Sequence, residues 1–486
     1  MNNEKIKGDQ AIFKEFPKEQ LTKDKFSETL FIDYSGQRND VVPIKSKKFE
    51  NNVRRYIFKK GLSLQEKEVK DYVNEISTHA YFSENEEIET SIRSWHCPDT
   101  AAVLYDLGDK DGTLVEMSGG EAKLVTDSKA FPDAYFRHPD TMQPMKKPIF
   151  TKAWIKSLFK LQAYVNSDNA TFLIFLAYLS FVIAHPKSKG IPYPALIVQG
   201  MQGSGKSFLC SNVLRALLDP NSNETLRMPN RDQDWVLQLN HTFVGIYDNI
   251  RSLTPKESDL LCQVVTMCSF AIRQHHSYEE LVSIKMHSPL VLNGIYNFVS
   301  QPDLADRSFR ILLQPMKPEN KKTEVQLKQE FNALLPELLG SLFTLSAKAL
   351  SVQDDCETKY PARLMDFSLW LAAIEKVLKQ PEGVLQKAYL KNVKSIMAVS
   401  LEDDGLMNAL KEVLSECGEG VWRYTPAELL YAVEGASSGD TLPRSPSALT
   451  KRLKDTKTSL AANDIHFSLG RDAERFIKIS STKIPA

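Results

Sequence analysis

The sequence lacks an excess of charge of either sign, closely paired cysteines and a recognisable secretion signal. Its 486 residues include 61 lysines and arginines and 61 aspartates and glutamates, so any nucleic-acid contact must come from local basic patches. The six scattered cysteines form no CxxC pair, which is typical of buried thiols in a reducing cytosol. Residues 1–10 have no apolar segment, so we expect a cytoplasmic protein without a secretory signal.

The longest apolar run is also too short to cross a bilayer. It covers residues 171–184, "TFLIFLAYLSFVIA", and ends at a His-Pro pair. A membrane-spanning helix needs about 20 residues. This run therefore predicts a fully buried helix behind a sheet, and no membrane association.

Composition shifts divide the chain into four predicted parts. Short strands with Gly turns near residues 100–140 indicate a small α+β N-terminal domain, 1–145, with a partly disordered start. Apolar strands separated by helices indicate an α/β ATPase core, 146–316. Residues 317–400 read as helices, and a unit of helices and two late strands covers 401–486.

The segment "GMQGSGKS", residues 200–207, matches GxxxxGK[ST] between a predicted buried strand and a predicted helix. Its glycines let backbone N–H groups surround phosphates at a helix N-terminus. Lys206 is expected to reach the β- and γ-phosphates of ATP, and Ser207 to bind Mg²⁺. The predicted nucleotide contacts are Gly200, Gly203, Ser204, Gly205, Lys206, Ser207 and Phe208.

A hydrolysing ATPase also needs a carboxylate at the end of a neighbouring strand, and "FVGIYDN" supplies Asp248 as a predicted Mg²⁺ ligand. The next residue in most such enzymes is a water-activating glutamate. Here it is Asn249, whose amide cannot act as a general base. Either another carboxylate takes that role or hydrolysis is slow; the candidates are Asp232, Asp234 and Glu257.

Four further polar residues are candidates for nucleotide chemistry. Asn293 closes the apolar strand "PLVLN" and could orient the attacking water, or it could simply form the turn. Arg307, with Arg310 second, is the candidate finger that reaches a neighbouring subunit's γ-phosphate, the alternative being surface ion pairing. Arg363 begins a helix from which it could sense nucleotide.

A basic, turn-centred segment precedes the Asn293 strand. The "SYEE" turn lies between two arms, and Val282, Ile284 and Met286 alternate with Ser283, Lys285 and His287. We predict a β-hairpin that touches DNA, although a solvated hairpin or a subunit contact would give the same pattern. The predicted DNA contacts in this segment are Arg273, His275, His276 and Lys285.

Taken together, these segments resemble the AAA+ replicative helicases of phages, plasmids and chromosomal islands, which are related to minichromosome-maintenance-like and superfamily III helicases. The similarity covers roughly residues 100–395 and is carried by "GMQGSGKS", "YDN", "FAIRQHHSYEE", "PLVLNGI" and "PDLADRS". It implies an AAA+ P-loop NTPase core with a helical lid, a homo-hexameric ring, and a hairpin that grips DNA. "TMCSF" and Asn249 depart from the family pattern and leave the rate and the base undetermined.

The last 80 residues look like a winged helix. In "SPSALTKRLKD", Leu449 and Leu453 are expected to face inward, and Lys451, Arg452 and Lys454 outward. Such a helix contacts DNA or protein.

The expected function is therefore ATP-driven DNA translocation for replication of a mobile element, with a primase or other replication proteins as possible partners. The alternatives are a non-unwinding ATP-dependent switch and a nucleic-acid-sensing defence ATPase.

Overall fold

The computed structural model describes most of the chain. The described residues are 12–25, 27–61, 65–126, 130–273, 281–295, 297–315, 322–399, 405–417, 420–436, 442–472 and 474–481. The predicted hairpin tip, with His275 and His276, lies outside these ranges.

The N-terminal part contains two small sheets and two helices. One sheet has the order β1-β2-β3-β9-β4 and the other β5-β6-β7-β8. The elements are β1 Leu21–Lys23, β2 Thr29–Asp33, β3 Asn39–Pro43, α1 Lys47–Lys59, α2 Glu66–Tyr81, β4 Thr90–Ser91, β5 Ser94–His96, β6 Val103–Asp106, β7 Leu114–Ser118, β8 Glu121–Val125 and β9 Tyr135–Arg137. The predicted strands and Gly-Gly turn in this region are confirmed by the antiparallel pair β7–β8.

The central part is built on a four-stranded parallel sheet in the order β11-β14-β10-β15. Its elements are α3 Trp154–Phe159, α4 Asn169–Ala184, β10 Ala195–Gly200, α5 Lys206–Phe208, α6 Arg215–Leu218, α7 Asp232–Asn240, β11 Gly245–Ile250, α8 Pro255–Thr266, β12 Cys268–Arg273, β13 Leu281–Met286, β14 Leu290–Gly294, α9 Pro302–Ala305 and β15 Ser308–Leu313. All four predicted core strands are present. Two of them, β10 and β14, begin directly after Pro194 and Pro289, which lack the amide donor that a ladder requires.

The predicted buried helix is α4, which begins at its N-cap Asp168. The Asp168 carboxylate accepts a hydrogen bond from the Thr171 amide at 3.0 Å, which satisfies one free donor of the first turn. Every residue from Phe172 to Ala184 is buried. A helix that is apolar all round can only be stable inside a core or a bilayer, and here it is enclosed by protein.

The predicted helical part contains α10 Glu324–Leu350, α11 Met365–Val377 and α12 Val384–Val399. The long helix α10 packs on β7, β8, α3 and α4. By length and composition alone it could cross a membrane, as could the bent pair Trp154–Tyr164 and Asn169–Ala184 if it counted as one span. The most apolar window of α10 is 61% buried inside the protein, so its hydrophobicity is accounted for by core packing.

The apolar core crosses the boundary that the sequence suggested at residue 145. Val103 and Tyr105 of β6 and Val115 of β7 belong to the same buried cluster as α4, α10 and the parallel sheet. The two small N-terminal sheets therefore differ: β6 and β7 share the central core, while residues of β1, β2, β3, α1 and α2 form a separate cluster. Local sequence patterns do not show which face of a strand packs against a distant helix.

The C-terminal part has its own buried cluster. It contains α13 Gly405–Cys417, β16 Trp422–Tyr424, α14 Pro426–Ala436, α15 Pro446–Asp455, α16 Lys457–Ala462, β17 His466–Arg471 and β18 Arg475–Ser480. The strands form one sheet in the order β16-β18-β17. Helix α15 begins where expected, since the Ser445 hydroxyl accepts a hydrogen bond from the Ala448 amide at 3.2 Å.

Candidate nucleotide and DNA site

The glycine-rich loop follows the central strand β10 and leads into a helix that runs from Lys206 through a π-helical segment to Leu218. Gly203 and Gly205 have φ angles of 80° and 89°, a conformation that side-chain-bearing residues rarely adopt. The Lys206 ammonium donates to the carbonyl oxygens of Gly200 at 2.7 Å and Met201 at 2.9 Å. The loop therefore curls around its own lysine, as a phosphate cradle requires.

An acid–amide pair lies at the same edge of the sheet. The side-chain amide nitrogen of Asn293 donates a hydrogen bond to the Asp248 carboxylate. The same carboxylate accepts a hydrogen bond from the backbone N–H of Asn249 at 2.7 Å. Asn293 is 1% exposed, and within the described part of the chain its side-chain oxygen has no hydrogen-bond partner. Asn249 has a φ of 60° at an irregularity in β11, so the backbone turns away after Asp248.

The strand order explains why these groups meet. Strand β14, which carries Asn293, pairs on one side with β11 and on the other with β10. Because all three strands are parallel, their carboxyl ends lie at one edge, with Asp248, Asn293 and the phosphate loop side by side. Burial lowers the pKa of the Lys206 ammonium, and the negative charge of Asp248 opposes this shift.

The oxygen donors at this edge fit a small hard cation. Ser207 is exposed at the start of the helix and Asp248 is half-buried beside Lys206. Mg²⁺ in nucleotide sites is held by one or two such oxygens together with the substrate phosphates. The buried Ser204 hydroxyl, also without a partner in the described residues, adds one free polar group to the loop.

The structure separates the three candidate bases by what they already bind. Glu257 belongs to the capping box of α8, where its carboxylate accepts from the amide and the hydroxyl of Thr254, both at 2.7 Å. Asp232 forms an ion pair with Lys256 at 3.2 Å. Asp234 is an exposed residue of the first turn of α7. Glu257 is thus engaged in holding a helix start.

The two candidate sensing arginines lie together, at the opposite edge of the sheet. Arg307 precedes β15, whose Ser308 is in register with Ala195 at the start of β10. Six residues of strand, about 20 Å, separate this edge from the phosphate loop. Arg307 contacts the Asp303 carboxylate and donates to the Asp303 carbonyl at 2.9 Å. Arg363 reaches the same carboxylate at 3.1 Å.

Asp303 joins both arginines. Burial alone would raise the pKa of its carboxyl, but the hydrogen bond and charge of Arg307 lower it. The i, i+4 spacing to Arg307 was visible in the sequence; the contact with Arg363 was not. Arg310 points elsewhere, with its guanidinium donating to the Ser395 hydroxyl at 2.9 Å.

Phe208, predicted to contact nucleotide, stacks on Tyr164 with ring centroids 6.1 Å apart. Its ring packs against the central core, so the observed contacts of this side chain are structural ones.

The predicted hairpin is confirmed in its arms. Strands β12 and β13 pair antiparallel from Cys268↔Met286 to Arg273↔Leu281. Lys285 is exposed, as expected. His287, which the alternation grouped with Lys285, is not exposed like it. It follows the strand, is 7% exposed and stacks on Tyr193 at 4.7 Å.

On the C-terminal helix α15, Leu449 and Leu453 are fully buried and Lys451 is exposed, as the pattern predicted. Arg452 is half-buried.

One residue that no motif indicated fixes the far end of the phosphate-loop helix. The Asp219 carboxylate accepts hydrogen bonds from Arg93 at 3.2 Å and Arg215 at 3.3 Å. It also accepts from the Thr242 hydroxyl at 2.8 Å and the Phe243 amide at 2.9 Å. Asp219 thereby ties this helix to the chain entering β11. A lone aspartate carries no sequence signal for such a role.

Two stretches of the chain match known protein families. Residues 155–387 match the family model described as the actinomycete integrative conjugative element replication protein. Residues 406–485 match the C-terminal domain of the same replication proteins. Over these two stretches the chain is similar to the replication proteins of actinomycete integrative conjugative elements.

The chain resembles solved structures at low sequence identity. The chain is similar to the SCCmec type IV Cch active helicase, with 10% identity, a TM-score of 0.48, and coverage of 95% of this chain and 92% of that one. It is also similar to the apo C-terminal region of NrS-1, with 14% identity, a TM-score of 0.32, and coverage of 76% and 94%. Among curated proteins there is no match.

Proposed function

We propose that this protein is an ATP-dependent DNA helicase that translocates on DNA to replicate a mobile element. Under this proposal, the parallel sheet and its flanking helices are an AAA+ ATPase core, α10–α12 are its helical lid, and the C-terminal part is a winged helix. The family match to replication proteins supports the biological setting. The chemistry rests on the site.

The observation that carries the proposal is the contact between Asn293 and Asp248 beside the phosphate loop. Lys206 would exchange its loop carbonyls for the β- and γ-phosphates of ATP, and Ser207 and Asp248 would hold Mg²⁺. The ion would neutralise charge on the phosphates. Asn293 donates to Asp248 with one end of its amide and keeps a free oxygen, with which it would orient the attacking water.

Two carboxylates are candidates for the general base that takes the proton from the attacking water in this proposal. Asn249 cannot accept the proton from water, and Glu257 is bound to its helix cap. Asp232 and Asp234 of α7 are left as the carboxylates that could act. Phosphoryl transfer depends more on positioning and charge neutralisation than on a strong base, so an ATPase without the usual glutamate is chemically reasonable.

The location of Arg307 supports a ring. It lies about 20 Å along the sheet from its own phosphate loop, too far to touch a nucleotide bound there. A guanidinium at this edge can serve only a nucleotide held by an adjacent copy, as in a homo-hexamer. Arg363 shares Asp303 with Arg307 and would act at the same neighbouring nucleotide.

Within such a ring, the hairpin would project toward the DNA, with Lys285 at its base and Arg273 nearer its tip. Lys451 and Arg452 of α15 would give a second contact with DNA. A primase or another replication protein would complete the replication machinery. The cytoplasm is the expected location.

The first test measures DNA-stimulated ATP hydrolysis and strand displacement on a forked DNA. We expect wild type to do both, and Lys206→Ala to lose both by at least about 100-fold, because one phosphate-stabilising donor is removed. A double variant, Lys285→Ala with His275→Ala, should keep basal hydrolysis and lose its stimulation by DNA. Lys110→Ala, an exposed lysine elsewhere, is the matched control.

A second function is favoured by Asn249. A chain that binds ATP and assembles, but hydrolyses slowly without the usual glutamate, would act as an ATP-dependent switch that recruits a partner, in replication or in defence. Assembly with ATP, together with no strand displacement and no stimulation by DNA, would favour the switch over the helicase.

A further inference from the structure

The most basic segment of this neutral chain is α1 and its flanks. Residues 45–60 contain seven lysines and arginines and one glutamate. That glutamate, Glu50, is already bound to Arg54 at 2.6 Å and Lys47 at 3.1 Å. The described residues place no carboxylate within ion-pair distance of Lys48, Arg55 or Lys59. Their charges therefore face solvent uncompensated.

The geometry of α1 sorts its residues into two opposite faces. Phe49, Val53, Tyr56 and Ile57 are at most 9% exposed and pack into the N-terminal cluster. This apolar face is covered by protein, and Phe58, 81% exposed, is the one large hydrophobic side chain of α1 that faces solvent. Insertion into a lipid surface requires a whole free apolar face, which a single side chain does not provide. The basic face is left to meet a polyanion in water.

Three of the uncompensated charges form one straight row. Lys48, Arg55 and Lys59 are seven and four residues apart, so they fall within about 20° of one line along the helix. Their spacing along the axis is about 10 Å and about 6 Å. Asn51 and Asn52 flank the row and add amide groups that can hydrogen-bond to phosphates or base edges.

Beyond α1, carboxylates accompany the positive charges. Lys48 lines a cavity of about 80 Å³ together with Arg137 and His241. The same Arg137 and His241 line a larger cleft of about 490 Å³, whose wall on the other side includes Lys285 of β13. Arg137 is already paired with Glu28 at 2.8 Å, and acidic side chains line both spaces. The uncompensated positive charge is therefore confined to α1.

We infer that α1 is a docking surface for duplex DNA. Duplex is the form that the row fits, since rigid, regularly spaced charges match a rigid phosphate array, as in helices that lie on DNA. Single-strand sites instead alternate charge with several aromatic platforms, whereas Phe58 is the one exposed aromatic side chain of α1. The docking does not depend on the proposed function.

The test measures binding of the full chain to a labelled random-sequence duplex by fluorescence anisotropy, without ATP, at several salt concentrations. The variant is Lys48→Gln with Arg55→Gln and Lys59→Gln. We expect binding near 100 mM salt to weaken at least about 10-fold. The slope of log K against log salt should fall by about 2–3 units, close to one per phosphate contact.

Two control variants make the result specific. Lys110→Gln with Lys152→Gln and Lys156→Gln removes the same charge from exposed positions outside α1 and should bind as wild type does. A charge-conserving variant, Lys48→Arg with Arg55→Lys and Lys59→Arg, should also retain binding. Unchanged thermal midpoints would show that folding is intact.

Equal losses in the α1 and control variants, or no loss in either, would overturn the inference. So would loss of binding only to a single strand, or loss in the charge-conserving variant. If the α1 variant loses duplex binding while wild type fails to unwind DNA, the docking surface stands and the helicase proposal fails. If wild type unwinds and the α1 variant binds duplex normally, the reverse holds.

Discussion

Replacing Asn293 with alanine tests the central contact of the site. The variant removes the Nδ2 donor from the Asp248 carboxylate. A hydrogen bond to a charged group contributes about 1.5–3 kcal/mol. If this contact acts in the transition state, kcat should fall by about 10- to 150-fold, since each 1.36 kcal/mol is tenfold in rate.

The affinity for nucleotide should change little, because the phosphates are held by the loop and Lys206 rather than by Asn293. Steady-state ATPase measurements would give kcat, and titration with a fluorescent nucleotide would give the dissociation constant. Asn293→Asp is the matched variant of equal shape. It sets a second carboxylate against Asp248, and like charges at this distance raise the pKa of one of them, so its kcat should also fall.

A kcat within about threefold of wild type for Asn293→Ala would refute this role, because it would correspond to less than about 0.7 kcal/mol. A fall in nucleotide affinity with kcat unchanged would also refute it, since the residue would then bind substrate and transition state alike.

Three further predictions follow from contacts in the core. Gly200→Ala should abolish nucleotide binding, because a Cβ there would lie 2.7 Å from the backbone carbonyl of Leu313; isothermal titration would show this. Asp219→Asn should lower the unfolding free energy by about 3–5 kcal/mol, since buried Arg93 loses its carboxylate; thermal melts would detect it. Burial lowers the pKa of His185 to about 4. The unfolded state therefore binds more protons than the folded state between about pH 4 and 6.5, and the free energy of unfolding decreases as the pH is lowered through this range. The penalty is about 2 kcal/mol at pH 5, and His185→Gln should flatten the fall in melting temperature.

Features written in a short segment could be predicted from the sequence. The glycine spacing and Lys206 identify the phosphate loop because the chemistry needs those residues in consecutive order. The apolar runs identify the parallel strands because both faces of such strands are buried. The arms of the hairpin follow from the alternation around Ile284.

Features that depend on distant partners could not be predicted. The capping role of Glu257 is a local feature that the sequence does show, since a threonine lies three residues before it. The contact of Arg363 with Asp303, in contrast, joins residues that are 60 positions apart. His287 continues the alternation of β13 by sequence, yet the strand ends before it and the ring stacks on Tyr193. No local pattern records where a strand stops pairing.

The shared core has a consequence for how this chain can be divided. The family match begins at residue 155, which suggests a self-sufficient unit from there onward. A protein cut at that point would lose β7 and β8, and α10 would present the side chains that those strands now cover. Such a fragment would expose a contiguous hydrophobic patch, and we expect it to aggregate. The stretch that the family model matches is therefore shorter than the stretch whose side chains form the central core.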